Sequence, residues 1–273
     1  MTQTLVQHDL SSDYVLSQET IDSYRESGHA VVRRLLSAEE IAEFRPIISS
    51  AADRFNVETR PLEERDTYGK AFLQIMNLWL RDEQARRYTL ARRFAKVAAE
   101  LMGVPAVRLY HDQALFKEPG GGPTPWHQDQ FYWPLNTNNT ITLWMPLVNI
   151  PAEVGGMVFG SGSHKLGYIG DLAISDESDM VLSEFIERRG IPKTCYGAMS
   201  AGDATFHAGW TLHSAPGNPT AEMREVMTVI YFADGISTKE PSNGMQASDL
   251  ANWLPGVKAG ELAVSILNPL VYS

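Results

Sequence analysis

At 273 residues, 44% hydrophobic and 21% charged, the chain has the length and composition of one folded domain, with no low-complexity tract or internal repeat. A formal net charge of −10 disfavours nonspecific binding to nucleic acid or to an anionic membrane, since both rest on basic surface. One cysteine, Cys195, excludes an internal disulfide and a cysteine-cluster metal site.

No basic start runs into an apolar stretch, and no apolar run approaches the roughly 18 residues of a spanning helix. A cytoplasmic globular protein with a small-molecule partner, and neither nucleic acid nor membrane, is therefore expected. Nothing in the sequence fixes an oligomeric state.

In chain order, residues 1–12 are polar and read as flexible. Ser17 caps a helix with an acidic first turn that stops at Gly28. The stretch His29–Leu36 reads as a strand, and Ser37-Ala-Glu-Glu40 is a capping box opening a helix toward Phe55. Its apolar face carries Ile41, Phe44, Ile47 and Ile48. Residues 82–102 form a third helical region ending at Gly103. After Pro105 the texture changes to short alternating segments punctuated by Gly, Pro and Asn. These are Val107–Lys117, Trp126–Trp133, Thr140–Ile150, Gly156–Gly160, Ala204–Phe206 and Arg224–Phe232, a spacing that predicts a β-sandwich or barrel. Residues 165–200, with a helix over 179–190, interrupt the series and read as an insertion over the barrel mouth. No linker divides residues 1–273, so a single domain is expected, with the N-terminal helices packed outside a mainly β core.

The chemistry concentrates in Pro125-Trp-His-Gln-Asp-Gln-Phe-Tyr-Trp-Pro134. Side chains two apart on a strand share a face, so His127 and Asp129 present one nitrogen and one oxygen ligand from one element. A second distant histidine would complete the 2-His-1-carboxylate face of non-haem Fe(II) oxygenases. His207 and His213 both offer it. His213, between Trp210/Leu212 and a Ser-Ala-Pro-Gly-Asn turn, is the favoured ligand, and His207 suits a place beside the metal or facing substrate. Alone, His-x-Asp is a common tripeptide. Here the glycine-rich approach Gly120–Gly122 and the aromatic bulk of Trp126, Phe131, Tyr132 and Trp133 match a concave site with few polar groups.

Arg224 opens an otherwise apolar strand, and a buried arginine needs an anionic partner. A protein carboxylate would serve. So would a small dicarboxylate held by the guanidinium fork, with Thr228 adding a hydroxyl on the same face. Two more strands carry polar side chains on one face: His111 and Gln113 with Leu115, and Thr142 with Trp144. They either line a pocket or point to water. His164 reads as a turn residue, and His8 and His29 as surface or packing residues.

Together these motifs resemble the phytanoyl-CoA dioxygenase family of Fe(II)/2-oxoglutarate-dependent oxygenases over nearly the whole chain. The matching parts are Ile21–Leu36, His127-Gln-Asp129, Gly155-Gly156 through Gly160-Ser-Gly-Ser-His164-Lys, Gly202-Asp203, and His213 with Asn218 and Arg224. The resemblance implies a double-stranded β-helix, the jelly-roll or cupin-like core. It implies His127, Asp129 and His213 as iron ligands and Arg224 as anchor of the distal carboxylate of 2-oxoglutarate. Gln113 and Trp144, and more loosely Gln74, fall where further contacts are made. At Ala215 some members carry a serine, for which Ser214 or Thr228 would compensate. Related halogenases have a small residue in place of Asp129, so a carboxylate here argues for oxidation.

The implied reaction uses Fe(II), 2-oxoglutarate and O2, with hydroxylation of a small organic molecule or natural-product intermediate as the default. Ring closure, desaturation and epoxidation are alternatives, as are a jelly-roll binding protein and a cupin-like enzyme without 2-oxoglutarate. Tyr132, Trp133, His207, Trp210 and Gln74 are the expected substrate-facing residues.

Overall fold

A computed structural model describes residues 8–152, 154 and 156–273. Its N-terminal elements are α1 (Gln18–Ser27), β1 (His29–Val32), α2 (Ala38–Phe55), α3 (Thr67–Ala71), β2 (Leu73–Met76), α4 (Leu78–Arg81), α5 (Glu83–Thr89) and α6 (Arg92–Met102). The β-rich part runs β3 (Val107–Lys117), β4 (Thr124–His127), β5 (Thr140–Pro146), β6 (Val158–Gly160), α7 (Asp176–Arg189), β7 (Lys193–Cys195), β8 (Ala204–Ala208), β9 (His213–Ala215) and β10 (Arg224–Ala233). It ends with α8 (Gly244–Trp253) and β11 (Leu270–Tyr272).

The caps form as the sequence dictates. Ser17 accepts from the Thr20 amide, and Ser37 and Glu40 close a reciprocal capping box. Gly28 ends α1 at φ 81°, where a β-carbon would lie 2.3 Å from the His164 ring. His164 is indeed a turn residue, its Nε2 lying 3.3 Å from the Arg25 carbonyl.

Two antiparallel sheets face each other. The larger is ordered β1-β8-β5-β10-β3-β11 with β2 added to β3, and the smaller β4-β9-β6-β7. Strand alternation divides the larger sheet by face. Ala114, Phe116, Leu143, Met145, Met227 and Val229 pack under α2, α5 and α6 in one apolar core. His111, Gln113, Thr142, Trp144, Thr228 and His207 face the smaller sheet. Glu225, next to Arg224 on the helix side, takes two bonds from Arg45 at 2.8 and 2.9 Å and one from Ser49, fastening α2 to β10. Pairing between β3 and β10 slips by one residue: Ile230 opposes His111 and Tyr231 opposes Leu109, leaving Tyr110 as an unpaired bulge. Tyr110 and His111 consequently lie on the same side of the strand.

The mainly β jelly-roll with flanking helices is thus the fold, and several boundaries shift. The strand expected over Trp126–Trp133 ends at His127, and Asp129–Phe131 is a 3-10 turn. The strand expected to Ile150 stops at Pro146, and the region 82–102 is two helices broken at Leu90-Ala91. Of the stretch 1–12, residues 1–7 lie outside the described residues. The rest is tied down: Leu10 is 1% exposed in the core and Arg93 bonds the Ser12 carbonyl. His29 is a packing residue, stacked on Phe159 and bonded to Tyr196 and Ser161. Gly155 of the glycine motif lies outside the described residues. No helix among the described residues is long and apolar enough to cross a membrane.

Residues 165–200 cover the mouth only in part. Ile174 borders the cavity and its amide donates to the Tyr132 hydroxyl. Beyond it, α7 lies along β4, with Asp179 accepting from the Trp126 amide, and β7 is an edge strand of the smaller sheet.

Candidate metal centre and its cavity

Between the sheets lies a cavity of about 320 Å³ reached by side chains from Tyr68 to Trp253. His127 ends β4 and His213 opens β9, directly opposite it in register. Their rings sit 4.0 Å apart. Each Nδ1–H is held by the carbonyl two residues before it, Pro125 at 2.7 Å and Thr211 at 2.9 Å. That fixes the tautomer and leaves each Nε2 lone pair aimed into the cavity. Asp129 Oδ1 lies 3.5 Å from His127 Nε2 and 3.6 Å from His213 Nε2. All three ligand atoms fall within 4.8 Å of one another. Donors sharing one octahedral ion at about 2.1 Å lie about 3 Å apart, so small rotations would seat a metal.

The protonation states suit a cation. Burial opposes ionisation of Asp129, yet His213, His127 and His207 hold its carboxyl well below the ordinary range. Burial, with His127 and His207 alongside, pushes His213 well below the ordinary histidine range. The 3-10 turn, not the strand alternation the sequence predicts, brings Asp129 round beside His127. His207 lies outside the cluster of converging ligand atoms. Its Nε2 lies 3.1 Å from Asp129 Oδ2, which also accepts from Thr142 at 2.8 Å. The carboxylate is therefore gripped on one oxygen and open on the other.

Deeper in the cavity, Arg224 is 6% exposed, and its Nε and Nη1 have no partner among the described residues. Its guanidinium lies 5.9 Å from the Trp144 ring, and burial lowers its pKa to about 10. Opposite it in register, Lys117 is fully buried and pushed down to about 7 by burial and by Arg224. Neither has an acid within ion-pair distance among the described residues. Lys117 is bonded to the Gly122 carbonyl and the Thr124 hydroxyl, so Arg224 is the cation that calls for an anion. Thr228, Gln113, Trp144, Ser214 and Ala215 line the same end, and the Thr228 hydroxyl bonds the Gln113 carbonyl at 3.2 Å. Asn218 braces the turn before Arg224 by donating to the Lys117, Glu118 and Glu222 carbonyls.

The outer end holds Gln74, Tyr132 and Trp133 as expected. Gln74 accepts from Tyr68 at 2.9 Å and donates to Gln113 at 2.8 Å. Trp210 stands apart from the lining: its Nε1 bonds Asn138 and its ring meets Tyr168 edge-on. Sequence reasoning misses Tyr68, Phe72 and Met76 around β2, and Ser248, Asp249, Asn252 and Trp253 on α8. A signal for α8 exists. Asn243 followed three residues later by Gln246 is a helix-start pattern, and Asn243 does accept from the Gln246 amide at 2.8 Å.

Two histidines and one carboxylate converging between antiparallel sheets form the 2-His-1-carboxylate face of non-haem iron oxygenases. The chain belongs to the phytanoyl-CoA dioxygenase family, whose model matches residues 24–226. It is 25% identical over 151 residues to the probable alpha-ketoglutarate-dependent hypophosphite dioxygenase of Stutzerimonas stutzeri, 52% of this chain and 51% of that protein. The chain spans about half the length of the curated relatives it matches. Among solved structures it is similar to SnoK, the non-haem alpha-ketoglutarate-dependent carbocyclase of nogalamycin biosynthesis. That match has TM-score 0.75 and 25% identity, covering 93% of this chain and 96% of SnoK. The epimerase SnoN in complex with Fe3+, alpha-ketoglutarate and nogalamycin RO matches with TM-score 0.73 and 25% identity, over 93% and 98% of the two chains.

Proposed function

We propose that the chain is an Fe(II)- and 2-oxoglutarate-dependent oxygenase acting on a small organic molecule, with hydroxylation as the default outcome. One observation carries this: three converging ligand atoms and an unpartnered buried arginine share one cavity. In this reading His127, Asp129 and His213 hold iron, and Arg224 takes the distal carboxylate of 2-oxoglutarate through its free Nε and Nη1. Trp144 and Thr228 bound that site, and Gln113 is turned toward it from β3. Ser214, on the cavity wall beside Ala215, is the nearest replacement for a serine at 215. Bound iron and co-substrate supply the oxidising power to remove hydrogen from a substrate C–H.

The residues' own part is placement. Carbonyls hold both histidine tautomers, Thr142 and His207 orient Asp129, and Tyr132, Trp133 and Gln74 keep substrate near the metal face. Asp129 occupies the position a halide would need, which speaks against halogenation. The neighbours that close a ring or epimerise share this fold at 25% identity, so the outcome depends on which C–H the outer wall presents. Arg224 argues against a cupin-like enzyme without 2-oxoglutarate. Residues 1–273 are read as one working domain, since the cavity draws on side chains from Tyr68 to Trp253. The exposed free Cys195 fits a cytoplasmic location.

The test is anaerobic titration of iron-loaded protein with 2-oxoglutarate, where a weak visible absorption band should appear, followed by succinate formation on admitting O2. Asp129→Ala and His213→Ala should each lower succinate formation by at least about a hundredfold, about 2.7 kcal/mol of barrier. Full activity in either variant would sink the assignment.

A further inference from the structure

The outer wall of the cavity carries one acid. Asp249 and Trp253 lie one helical turn apart on α8 and both line the cavity, as do Ser248 and Asn252. Asp249 Oδ2 accepts from the Tyr110 hydroxyl at 2.8 Å, and the Trp253 indole lies near enough to favour the carboxylate form. Both groups are neutral. No Lys, Arg or His lies within ion-pair distance of Asp249 among the described residues, whereas Asp203, Glu225, Glu118 and Glu40 each pair with an arginine. The wholly buried Asp112 also lacks an ion pair, but two amides and the Thr89 hydroxyl satisfy it and it does not face the cavity. The ionisable groups around it are Tyr68, Tyr110, Tyr132 and His111. Burial pushes the three phenols up and lowers His111 to about 3, so none brings a positive charge near neutral pH.

The inner end does not supply the missing charge. Among the described residues Arg224 is the one Lys or Arg side chain on the cavity wall; Lys117 is off the wall, bonded to the Gly122 carbonyl and the Thr124 hydroxyl. In the reading above, iron(II), a 2-oxoglutarate dianion, Asp129 and Arg224 cancel in formal charge on that wall, and Asp249 is left over. A carboxylate facing a largely apolar cavity without a counter-ion is costly, so burial raises its proton affinity, and a ligand that brings a cation restores the charged form. Trp133, Trp253, Tyr132 and Phe72 surround the same space, and aromatic faces also attract an ammonium group.

Resting on that oxygenase reading, we infer that Asp249 is the specificity-determining residue of the outer cavity, selecting an aromatic or alicyclic substrate that bears a basic amine. The ammonium group sits on the Asp249 carboxylate and the ring lies among Trp133, Trp253 and Tyr132, with a C–H turned toward the metal face. Anionic substrates find no cation at this end.

The experiment uses iron- and 2-oxoglutarate-loaded protein under anaerobic conditions. The probes are 2-(2-naphthyl)ethylamine, its N-acetyl derivative and the corresponding alcohol, with binding read by calorimetry and by perturbation of the visible band. Wild type should bind the amine about tenfold or more tightly than either neutral probe. Asp249→Asn, which keeps the shape, should erase that preference, while Asp249→Glu should keep part of it. Equal binding of the three probes, no amine binding at millimolar concentration, or a preference that survives Asp249→Asn each overturns the inference. The band is recorded before any probe is added. Its absence would overturn the oxygenase reading, whereas a normal band without amine preference overturns only the role of Asp249.

Discussion

At the inner end of the cavity the chemical groups come from strands or from the turn that follows one: His127, Asp129, His213, Arg224, Thr228 and Trp144. His127, Asp129, His213 and Thr228 are braced by hydrogen bonds to neighbouring backbone or side chains, and Arg224 follows a turn held by Asn218. The outer end is assembled from β2, the turn after β4, Ile174 and α8, elements distant in sequence and joined by few bonds. The contrast separates two tasks. On the proposed reading the inner end holds the same small ion and the same dicarboxylate in every turnover, which rewards rigid strand placement. The outer end must fit one substrate among many, which suits short elements that vary without disturbing the sheets.

The contrast can be broken from either side. The largest effect is expected at Arg224. Arg224→Met keeps most of the volume and removes the fork, so the 2-oxoglutarate concentration for half-saturation should rise about a hundredfold. Iron binding, measured by titration, should be unchanged. An unaltered requirement would mean that another group, with Lys117 the nearest buried cation, anchors the co-substrate.

A smaller effect is expected from the residues gripping Asp129. Thr142→Val or His207→Gln should weaken iron binding about tenfold without changing the half-saturating 2-oxoglutarate concentration. If both instead leave iron affinity intact and alter substrate dependence, His207 belongs to the outer end.

The smallest effect concerns stability. Burial lifts Asp249 to about 7, above the roughly 3.9 of an unfolded aspartate. The folded chain therefore holds the extra proton between those values, and stability falls as pH rises through that window. Asp249→Asn should raise Tm by about 5 °C or more at pH 8 and by close to nothing at pH 4. A gain equal at both pH values would show that ionisation is not its source.

The same contrast decides what the sequence reveals. His127, Asp129, His213 and Arg224 are legible because each is a polar residue set in an apolar or turn context that it would otherwise avoid. The β-rich core shows itself through alternation, and α1 and α2 through their caps. Asp249 carries no such mark, since an aspartate in an amphipathic helix looks like solvated surface until the helix is placed over the cavity. Tyr68 and Phe72 sit between charged turns and gain meaning only when β2 joins β3. Trp210 misleads in the opposite direction. Lying three residues before His213, it is brought near the ligand in sequence, but its indole turns outward to Asn138. His207 is displaced from the substrate's side to Asp129's by a hydrogen bond that no spacing rule predicts.

The unpaired Tyr110 has a further consequence for how β3 can change. Val107 and Leu109 face the helical core, but beyond the bulge the core-facing positions are Ala114 and Phe116. The strand thus reads in two frames, like a sentence with one letter inserted. Deleting Tyr110 would restore a continuous ladder and remove the hydroxyl that holds Asp249. Both 107–109 and 111–117 would then keep their present faces, because alternation runs unbroken from Leu109 to His111, whereas any other single insertion or deletion in β3 would turn one of the two segments over. That one residue joins a frame for packing to a frame for chemistry, so tolerance to insertion along β3 should fail on both sides of position 110.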